Sequence, residues 1–322
     1  MRTTPAKLCF KSANVRKSAM NFNRRAFLQT TAATTITLPR NLAGEKPKPA
    51  EKNPLAGEVG ITTSSLSGHI LPHPTKAKIT LLELPRILRD ELDIRVIDLN
   101  TSTLASEESA YLDKVRAAAD KAGCILTNLK LNQRGLDMNS RDKDIRNKVL
   151  TIYKKSIDAA ARLGLKWARP HPLKEKPDMA IHIASYRELA DYAAKQNIRM
   201  LVENFGWMES DPESVPKLVK AVDRNIAVSP DTGNWKDNSI RYKGLAAAFP
   251  LAVSCDFKTH KLGPKGEHEL YDLKRCFDIG WKSGFRGPWC LEHVNSSRED
   301  LFRELALLRD LLRGWMKDAN AS

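Results

Sequence analysis

The chain has 322 residues, of which 42% are hydrophobic and 28% are charged, and these values exclude a fibrous or largely disordered protein. Its formal net charge is +15, but residues 1–43 carry eight Lys and Arg and no Asp or Glu, which leaves 45 basic against 38 acidic residues, or +7, for the rest. Because most of the basic excess is local, and the other Lys and Arg lie mainly on predicted helix faces, the charge predicts no nucleic-acid partner. The five cysteines include no C-x-x-C pair, so buried free thiols are expected, with a Cys255–Cys290 disulfide as an alternative.

The first segment, residues 1–43, contains Asn23-Arg24-Arg25-Ala26-Phe27-Leu28 followed by an uncharged run to Leu38 that is too short to span a bilayer. This pattern resembles a twin-arginine export signal and predicts an exported, periplasmic protein; a disordered basic tail is the alternative. No clear Ala-x-Ala cleavage site is present, so cleaved and anchored forms both stay open. The Pro- and Lys-rich residues 44–56 are predicted to be a linker, and no transmembrane span is expected after signal removal.

From residue 57 onward, short β-branched runs alternate with longer amphipathic segments, which is the pattern of repeated βα units. The predicted strands are 58–63, 94–99, 125–131, 166–169, 199–203, 226–230, 252–258 and 287–292. The predicted helices are 79–91, 105–122, 141–163, 180–196, 212–223, 241–248, 269–282 and 297–316. Eight such units predict a single-domain α/β fold, a (β/α)8 TIM barrel over residues 57–318.

A doubly wound open sheet is the competing fold, and it would place a glycine-rich phosphate-binding turn after the first strand. Residues 60–65 read Gly-Ile-Thr-Thr-Ser-Ser, with neither a G-x-G-x-x-G motif nor a P-loop. The barrel is therefore preferred, and its chemistry is expected at the carboxyl ends of the strands.

Acidic residues stand at the ends of the last four predicted strands: Glu203, Asp231, Asp256 and Glu292. Four carboxylates converging on one barrel mouth would repel one another strongly, so a divalent cation is expected between them. For any one of these residues alone, a helix cap or a loop salt bridge is an equal alternative. The expectation depends on all four occupying equivalent positions.

Three motifs are similar to those of the sugar phosphate isomerase/epimerase family, whose barrel is xylose isomerase-like and is shared with ketose 3-epimerases and family 2 apurinic endonucleases. They are Leu201-Val202-Glu203-Asn204, Pro230-Asp231-Thr232-Gly233-Asn234 and the loop from Lys258 to Gly266. The resemblance covers about residues 57–316. It implies one divalent metal, with Glu203, Asp231 and Glu292 among its ligands.

Two positions depart from that family pattern. Asp256 stands where a histidine ligand is typical, and Asn234 stands where epimerases often have a substrate-contacting histidine. An all-oxygen ligand set favours Mn²⁺ or Mg²⁺ over Co²⁺ or Zn²⁺. The second change argues against simple ketose epimerisation.

The resemblance implies metal-assisted proton abstraction next to a sugar carbonyl, through an enediolate. Glu203 and Glu292 would move the proton, and Lys258 would neutralise the developing oxyanion or be an ordinary surface lysine. The expected substrate contacts are Arg169, His171, Asn234, Trp207, Trp235 and His260. For the histidine at 171 and the two tryptophans, a loop or rim position without substrate contact is an equal alternative.

Three other functions remain open. The same proton abstraction could eliminate a leaving group from a keto-sugar or 3-keto-glycoside, and export favours free or glycosidically linked sugars as substrates. A phosphodiesterase ranks lowest among the enzymes because few histidines stand at strand ends. A sugar-binding barrel without turnover is the non-enzymatic alternative, and a homo-oligomer is open.

Overall fold

The computed structural model describes residues 53–71, 79–133, 135–260 and 262–321. The predicted export signal and most of the predicted linker lie outside the described residues. The strands are β1 (Val59–Thr62), β2 (Val96–Asn100), β3 (Ile125–Leu131), β4 (Trp167–Pro170), β5 (Arg199–Val202), β6 (Ile226–Val228), β7 (Cys255–Lys258) and β8 (Trp289–Glu292). The α-helices are α1 (Leu84–Leu92), α2 (Ser109–Lys121), α3 (Lys143–Arg162), α4 (Met179–Lys195), α5 (Ser214–Val222), α6 (Asn238–Ala248), α7 (Leu273–Lys282) and α8 (Arg298–Ala321).

The eight strands are parallel and follow the order β6-β5-β4-β3-β2-β1-β8-β7. The two outer strands of that order meet through parallel bridges that join Val228 to Ala252 and Asp231 to Asp256. These bridges close the sheet on itself, and each strand is followed by a helix on the outside. The predicted (β/α)8 TIM barrel is confirmed, with every predicted strand and helix present.

Local sequence signals account for the helix boundaries. Asp142, Asp178, Asp237 and Asp272 precede α3, α4, α6 and α7, and the carboxylate of each accepts a hydrogen bond from a backbone N–H of the first turn. Gly164 follows α3 with a φ of 75°, a left-handed conformation that costs glycine little. Aspartate caps therefore begin four of the helices, and a left-handed glycine ends α3.

The hydrophobic core lies between the sheet and the surrounding helices. In α8 the predicted stripe of Leu301, Leu305, Leu308 and Leu312 is fully buried. Trp289 of β8 lies among Phe249, Phe257, Phe277 and Phe285, with ring centroids 5.0–5.9 Å apart. All four cysteines in the described ranges are buried and free, so the Cys255–Cys290 disulfide is not formed.

Packing begins before residue 57. Leu55 is buried against Trp167, Leu201 and Ala227 at the amino-terminal ends of the strands. The backbone N–H of Gly57 donates to the carbonyl of Arg286 over 3.0 Å. The last residues of the predicted linker therefore close this end of the barrel. No helix within the described ranges is long and apolar enough to cross a membrane.

Candidate active site

A cavity of about 110 Å³ opens at the carboxyl ends of the strands. Its charged lining comes from successive strand ends: Lys130 of β3, Arg169 of β4, Glu203 after β5, Lys258 of β7 and Glu292 of β8. Asn234, in the loop after β6, also lines it. Parallel strands deliver their last side chains to a common point, so residues more than a hundred positions apart in sequence meet here.

The acidic residues of the last four strands converge, as their positions in the sequence predict, but they divide into two sets. Carboxylate oxygens of Glu203, Asp231 and Asp256 lie within 4.8 Å of one another, and all three residues are buried. Glu292 is not part of this acidic triad. Its two oxygens instead contact lysine ammonium groups, at 2.9 Å from Lys258 Nζ and 3.4 Å from Lys130 Nζ.

Lys130 lies at the centre of the barrel with only 1% of its side chain exposed. Its Nζ donates to Asp256 Oδ1 over 2.6 Å and reaches Glu292 Oε2 at 3.4 Å. Burial alone would lower the pKa of Lys130, but the charges of Asp256 and Glu292 raise the pKa above its ordinary value. Lys130 is therefore a buried, permanently charged ammonium.

Lys258 supplies a second ammonium at the cavity wall. Its Nζ lies 2.9 Å from each of three oxygens: Asp231 Oδ2, Asn234 Oδ1 and Glu292 Oε1. Burial opposes the charged form, yet Asp231 and Glu292 raise the pKa of Lys258 above its ordinary value. Lys258 and Asp256 point to the same side of β7, as strand geometry predicts.

These cations change the electrostatic argument drawn from the sequence. Lys130, Lys258 and Arg169 are each ion-paired to one or more of the four carboxylates. Three positive charges thus offset most of the four negative charges. The expectation that the carboxylates tolerate one another only through a metal is wrong, because the protein itself supplies most of the compensating charge.

Glu203 is the carboxylate with an environment suited to proton transfer. Arg169 Nε lies 2.7 Å from Glu203 Oε2, although the N–H does not point at this oxygen, and Asn234 Nδ2 donates to Glu203 Oε1 over 3.1 Å. Burial raises the pKa of Glu203 to about 7, against the opposing charge of Arg169. A carboxyl group with this pKa exchanges its proton near neutral pH.

Glu292 has the opposite electrostatics. Burial would raise its pKa, but Lys258 and Lys130 outweigh burial and hold the pKa of Glu292 well below its ordinary value. Asp231 and Asp256, which are fully buried, have raised pKa values because burial outweighs their lysine partners. The two predicted proton-transfer residues, Glu203 and Glu292, therefore have pKa values shifted in opposite directions.

The predicted substrate contacts are distributed unevenly. Arg169, His171 and Asn234 line the cavity, and burial lowers the pKa of His171 to about 4, so its ring is neutral. His260 lines a neighbouring groove, with Nε2 3.8 Å from Glu292 Oε1.

Neither predicted tryptophan lines the cavity. Trp235 is 4% exposed, and its ring packs so closely on Gly244 of α6 that an added Cβ would lie 2.2 Å from Cη2. Trp207 packs edge-on against His182, with ring centroids 6.1 Å apart. Their positions give both tryptophans a packing role at the barrel rim, the alternative that the sequence left open.

Two charged residues inside the barrel were missed from sequence. Lys130 and Asp98 are fully buried, and the Asp98 carboxylate accepts a hydrogen bond from Thr127 Oγ1. Both stand within apolar strand sequence, Asn128-Leu129-Lys130-Leu131 and Val96-Ile97-Asp98-Leu99. Charged residues are almost never fully buried unless they are paired. A charged residue within a strand that is predicted to be buried was therefore the sequence signal for an ion pair inside the barrel.

The acidic triad has the donor set that Mg²⁺ or Mn²⁺ prefers, since all its ligand atoms are carboxylate oxygens. Asp256 Oδ2 is buried and has no hydrogen-bond partner, and Glu203 Oε2 accepts no aligned hydrogen bond. Both oxygens belong to the acidic triad and lack a hydrogen-bond donor. One bound cation could contact both of them and supply the missing positive charge. The three carboxylates of the acidic triad therefore fit a divalent metal.

A parallel (β/α)8 barrel with its charged residues gathered at the carboxyl ends of the strands has the architecture of a TIM-barrel enzyme. Residues 91–318 match the family described as xylose isomerase-like TIM barrel. The chain therefore belongs to the xylose isomerase-like TIM barrel family, as its motifs indicate.

Similar proteins include sugar epimerases. L-ribulose-5-phosphate 3-epimerase UlaE of Salmonella heidelberg is 23% identical over 258 residues, which cover 71% of this chain and 85% of the epimerase. D-psicose 3-epimerase of Clostridium cellulolyticum, solved with D-tagatose, has a TM-score of 0.64 at 17% identity and covers 80% of this chain and 98% of its own. A xylose isomerase-like TIM barrel protein of Mycobacterium smegmatis, solved in complex with magnesium, has a TM-score of 0.62 at 17% identity. The match covers 81% of this chain and 97% of the Mycobacterium chain.

Proposed function

We propose that this chain is a sugar isomerase/epimerase that moves a proton next to a carbonyl through an enediolate. The observation that carries the proposal is the placement of Glu203, a buried carboxyl with a pKa of about 7, in a cavity walled by Lys130, Lys258 and Arg169. The epimerase relatives make sugars the expected substrate class.

Each part of the cavity has a role in this chemistry. The carboxylate of Glu203 removes a proton from the carbon beside the carbonyl. The electron pair of that C–H bond forms the C=C bond of the enediolate, and the π pair of the carbonyl moves to its oxygen. Lys258 lies on the cavity wall with its ammonium fixed, so it stabilises the negative charge that develops there. Glu203 then returns this proton to the former carbonyl carbon, while the proton of the adjacent hydroxyl group passes to the former carbonyl oxygen and leaves a carbonyl at its own carbon.

The difference between Glu203 and Glu292 favours a one-base route. Epimerisation by two bases needs a base on one face of the substrate and a proton donor on the other. Lys258 and Lys130 lower the pKa of Glu292, so its carboxylate is a weak base and does not hold a proton that it could donate. One base on one face suffices for aldose–ketose isomerisation. We therefore propose that Glu203 acts alone in proton transfer and that isomerisation is favoured over epimerisation.

A divalent cation, Mg²⁺ or Mn²⁺, would be held by Glu203, Asp231 and Asp256, and would supply Lewis-acid polarisation of the substrate oxygens. Export of the chain, which we also propose, favours free or glycosidically linked sugars over the phosphorylated pentulose named for the Salmonella relatives. Arg169, His171 and Asn234 would orient the sugar hydroxyl groups in the cavity.

The test is deuterium exchange in D₂O, with ketohexoses, L-ribulose, its 5-phosphate and 3-keto-glycosides as substrates and with Mg²⁺ or Mn²⁺ added or removed. NMR would report incorporation at the carbon next to the carbonyl. We expect exchange with at least one free sugar, and a loss of about 10²–10⁴-fold in Glu203→Gln. Glu213→Gln, the same change at an exposed residue just before α5, is the matched control.

The products distinguish the candidate reactions. Conversion of a ketose to its aldose supports the one-base isomerase, and conversion to a second ketose supports an epimerase. Release of an aglycone from a 3-keto-glycoside would assign the elimination reaction instead. Binding of sugars without any exchange would contradict an enzymatic function and favour the non-catalytic barrel.

A further inference from the structure

The ammonium of Lys258 occupies a cation position built from three chain segments. Its Nζ donates to Asp231 Oδ2 and Asn234 Oδ1 in the loop after β6, each over 2.9 Å, and forms an ion pair with Glu292 Oε1 at the end of β8, also at 2.9 Å. Two carboxylates and one amide oxygen therefore surround the ammonium. Only 15% of the Lys258 side chain is exposed, which means that water screens the group poorly.

The surrounding structure fixes this lysine in place. A Cβ added at Gly233 would lie 2.6 Å from Lys258 Cδ, and Gly233 is not among the glycines with positive φ, so the space for the lysine stem accounts for the glycine. The backbone N–H of Lys258 donates to Thr232 Oγ1 over 2.9 Å, and Tyr271 Oη donates to the Lys258 carbonyl over 2.6 Å. Both its backbone and its stem are therefore held.

The same lysine contacts the acidic triad through Asp231. A metal ligated by Asp231 would bind the carboxylate that Lys258 also contacts. It would therefore share this carboxylate with the ammonium. Lys130 donates to Asp256 Oδ1 over 2.6 Å, so a metal ligated by Asp256 would likewise share its carboxylate with an ammonium. Like charges this close in a poorly screened interior repel strongly.

We propose that Lys258 is an internal competitor for the divalent cation: its ammonium holds Asp231 and Glu292, and thereby sets a low affinity for metal. This inference rests on the metal site of the proposed function, and it adds the residue that regulates the occupancy of that site. Metal binds weakly and exchanges readily in the wild-type chain. Removing the ammonium frees Asp231 and Glu292 to join Glu203 and Asp256 as ligands.

The experiment measures Mn²⁺ binding to the full purified chain, without sugar, by electron paramagnetic resonance of free Mn²⁺ and by calorimetry. We expect Lys258→Met to bind Mn²⁺ at least about tenfold more tightly than the wild type. Lys258→Arg keeps the charge and should bind as the wild type does. Lys174→Met, at an exposed lysine two residues after Pro172 of the cavity wall, should stay within about twofold.

Two results would overturn the inference. One is equal or weaker Mn²⁺ binding by Lys258→Met, including no binding by either protein. The other is a wild-type chain that retains Mn²⁺ through dialysis against EDTA, which can be read even if Lys258→Met does not fold. Because no sugar is present, failure of the proposed isomerase activity would leave this measurement intact, and the two outcomes can be told apart.

Discussion

Lys130 shows at the scale of one residue how the barrel interior is held together. Its side chain is 1% exposed, and its partner Asp256 is fully buried. A buried ion pair contributes little net stability compared with an apolar pair, but removing one partner leaves an uncompensated charge in a poorly polarisable interior. The lysine is therefore needed because the aspartate is present.

Replacing Lys130 should destabilise the chain, and a second substitution at Asp256 should restore part of the lost stability. We expect Lys130→Met to lower the free energy of unfolding by about 3–5 kcal/mol, because Asp256 is left charged and buried. The double variant Lys130→Met with Asp256→Asn should recover much of that loss. Urea unfolding followed by circular dichroism measures both, and additive losses in the double variant would contradict the assigned pairing.

Asp98 should make the stability of the barrel depend on pH. Burial raises the pKa of Asp98 from 3.8 to about 6, so the folded state binds its proton more tightly than the unfolded state does. The contribution of the bound proton to the free energy of unfolding is fully present below about pH 4 and is lost as the pH rises through about 6. The difference of about two pKa units corresponds to about 3 kcal/mol.

The variant Asp98→Asn should therefore be more stable than the wild type at pH 8, with the advantage vanishing near pH 4. Asn keeps an oxygen that can accept the hydrogen bond from Thr127. Thermal unfolding at a series of pH values measures the difference. Asp90→Asn on the exposed face of α1 controls for loss of one negative charge, and an advantage independent of pH would refute the assignment to Asp98.

At the scale of secondary-structure elements, α6 shows how a helix is matched to the rim of the barrel. Its Gly244 lies against the ring of Trp235, where an added Cβ would be 2.2 Å from Cη2, 2.4 Å from Cζ3 and 2.7 Å from Cζ2. Arg241 of the same helix donates to the carbonyls of Thr232 and Trp235. Hydrogen bonds from α6 thus hold the loop that carries Asp231 and Asn234.

Two helical glycines should respond in opposite directions to alanine. We expect Gly244→Ala to destabilise the chain by about 1–3 kcal/mol, because the rigid indole of Trp235 has to move. Gly314→Ala in α8, where an added Cβ meets nothing within 4 Å, should stabilise it by about 1 kcal/mol. Urea unfolding of both variants provides the comparison, and a stabilised Gly244→Ala would contradict the close packing of this helix on Trp235.

At the scale of the whole molecule, the barrel brings distant residues to one place. Lys130 and Glu292 are separated by 162 positions yet lie 3.4 Å apart. Every charged group of the candidate site lies within a strand or directly after one, and the helices outside the sheet carry none of them. Variation in these strand ends can alter the chemistry without altering the fold.

The export proposal also concerns the whole chain. Replacing the paired arginines, Arg24→Lys and Arg25→Lys, should abolish export by the twin-arginine route. Cell fractionation of the tagged full chain would measure this, with Arg40→Lys as the matched control within the same segment. Unchanged export of the double variant would show that the basic segment has another role.

The sequence alone determined the architecture and the positions of the acidic residues. Apolar periodicity and turn residues are local, so all eight strands and helices could be predicted within a few residues of their observed bounds. The convergence of Glu203, Asp231, Asp256 and Glu292 follows from parallel strands meeting at one edge. Their places at strand ends were therefore readable before the structure was known.

Only the tertiary structure decided how these carboxylates are compensated. A pKa depends on burial and on charges brought near by folding, neither of which is a property of local sequence. For that reason Glu203 and Glu292 look equivalent in sequence but differ in the folded chain, where two lysines hold only Glu292 ionised. The pairing of Lys130 with Asp256 joins residues 126 positions apart, and only closure of the barrel creates it.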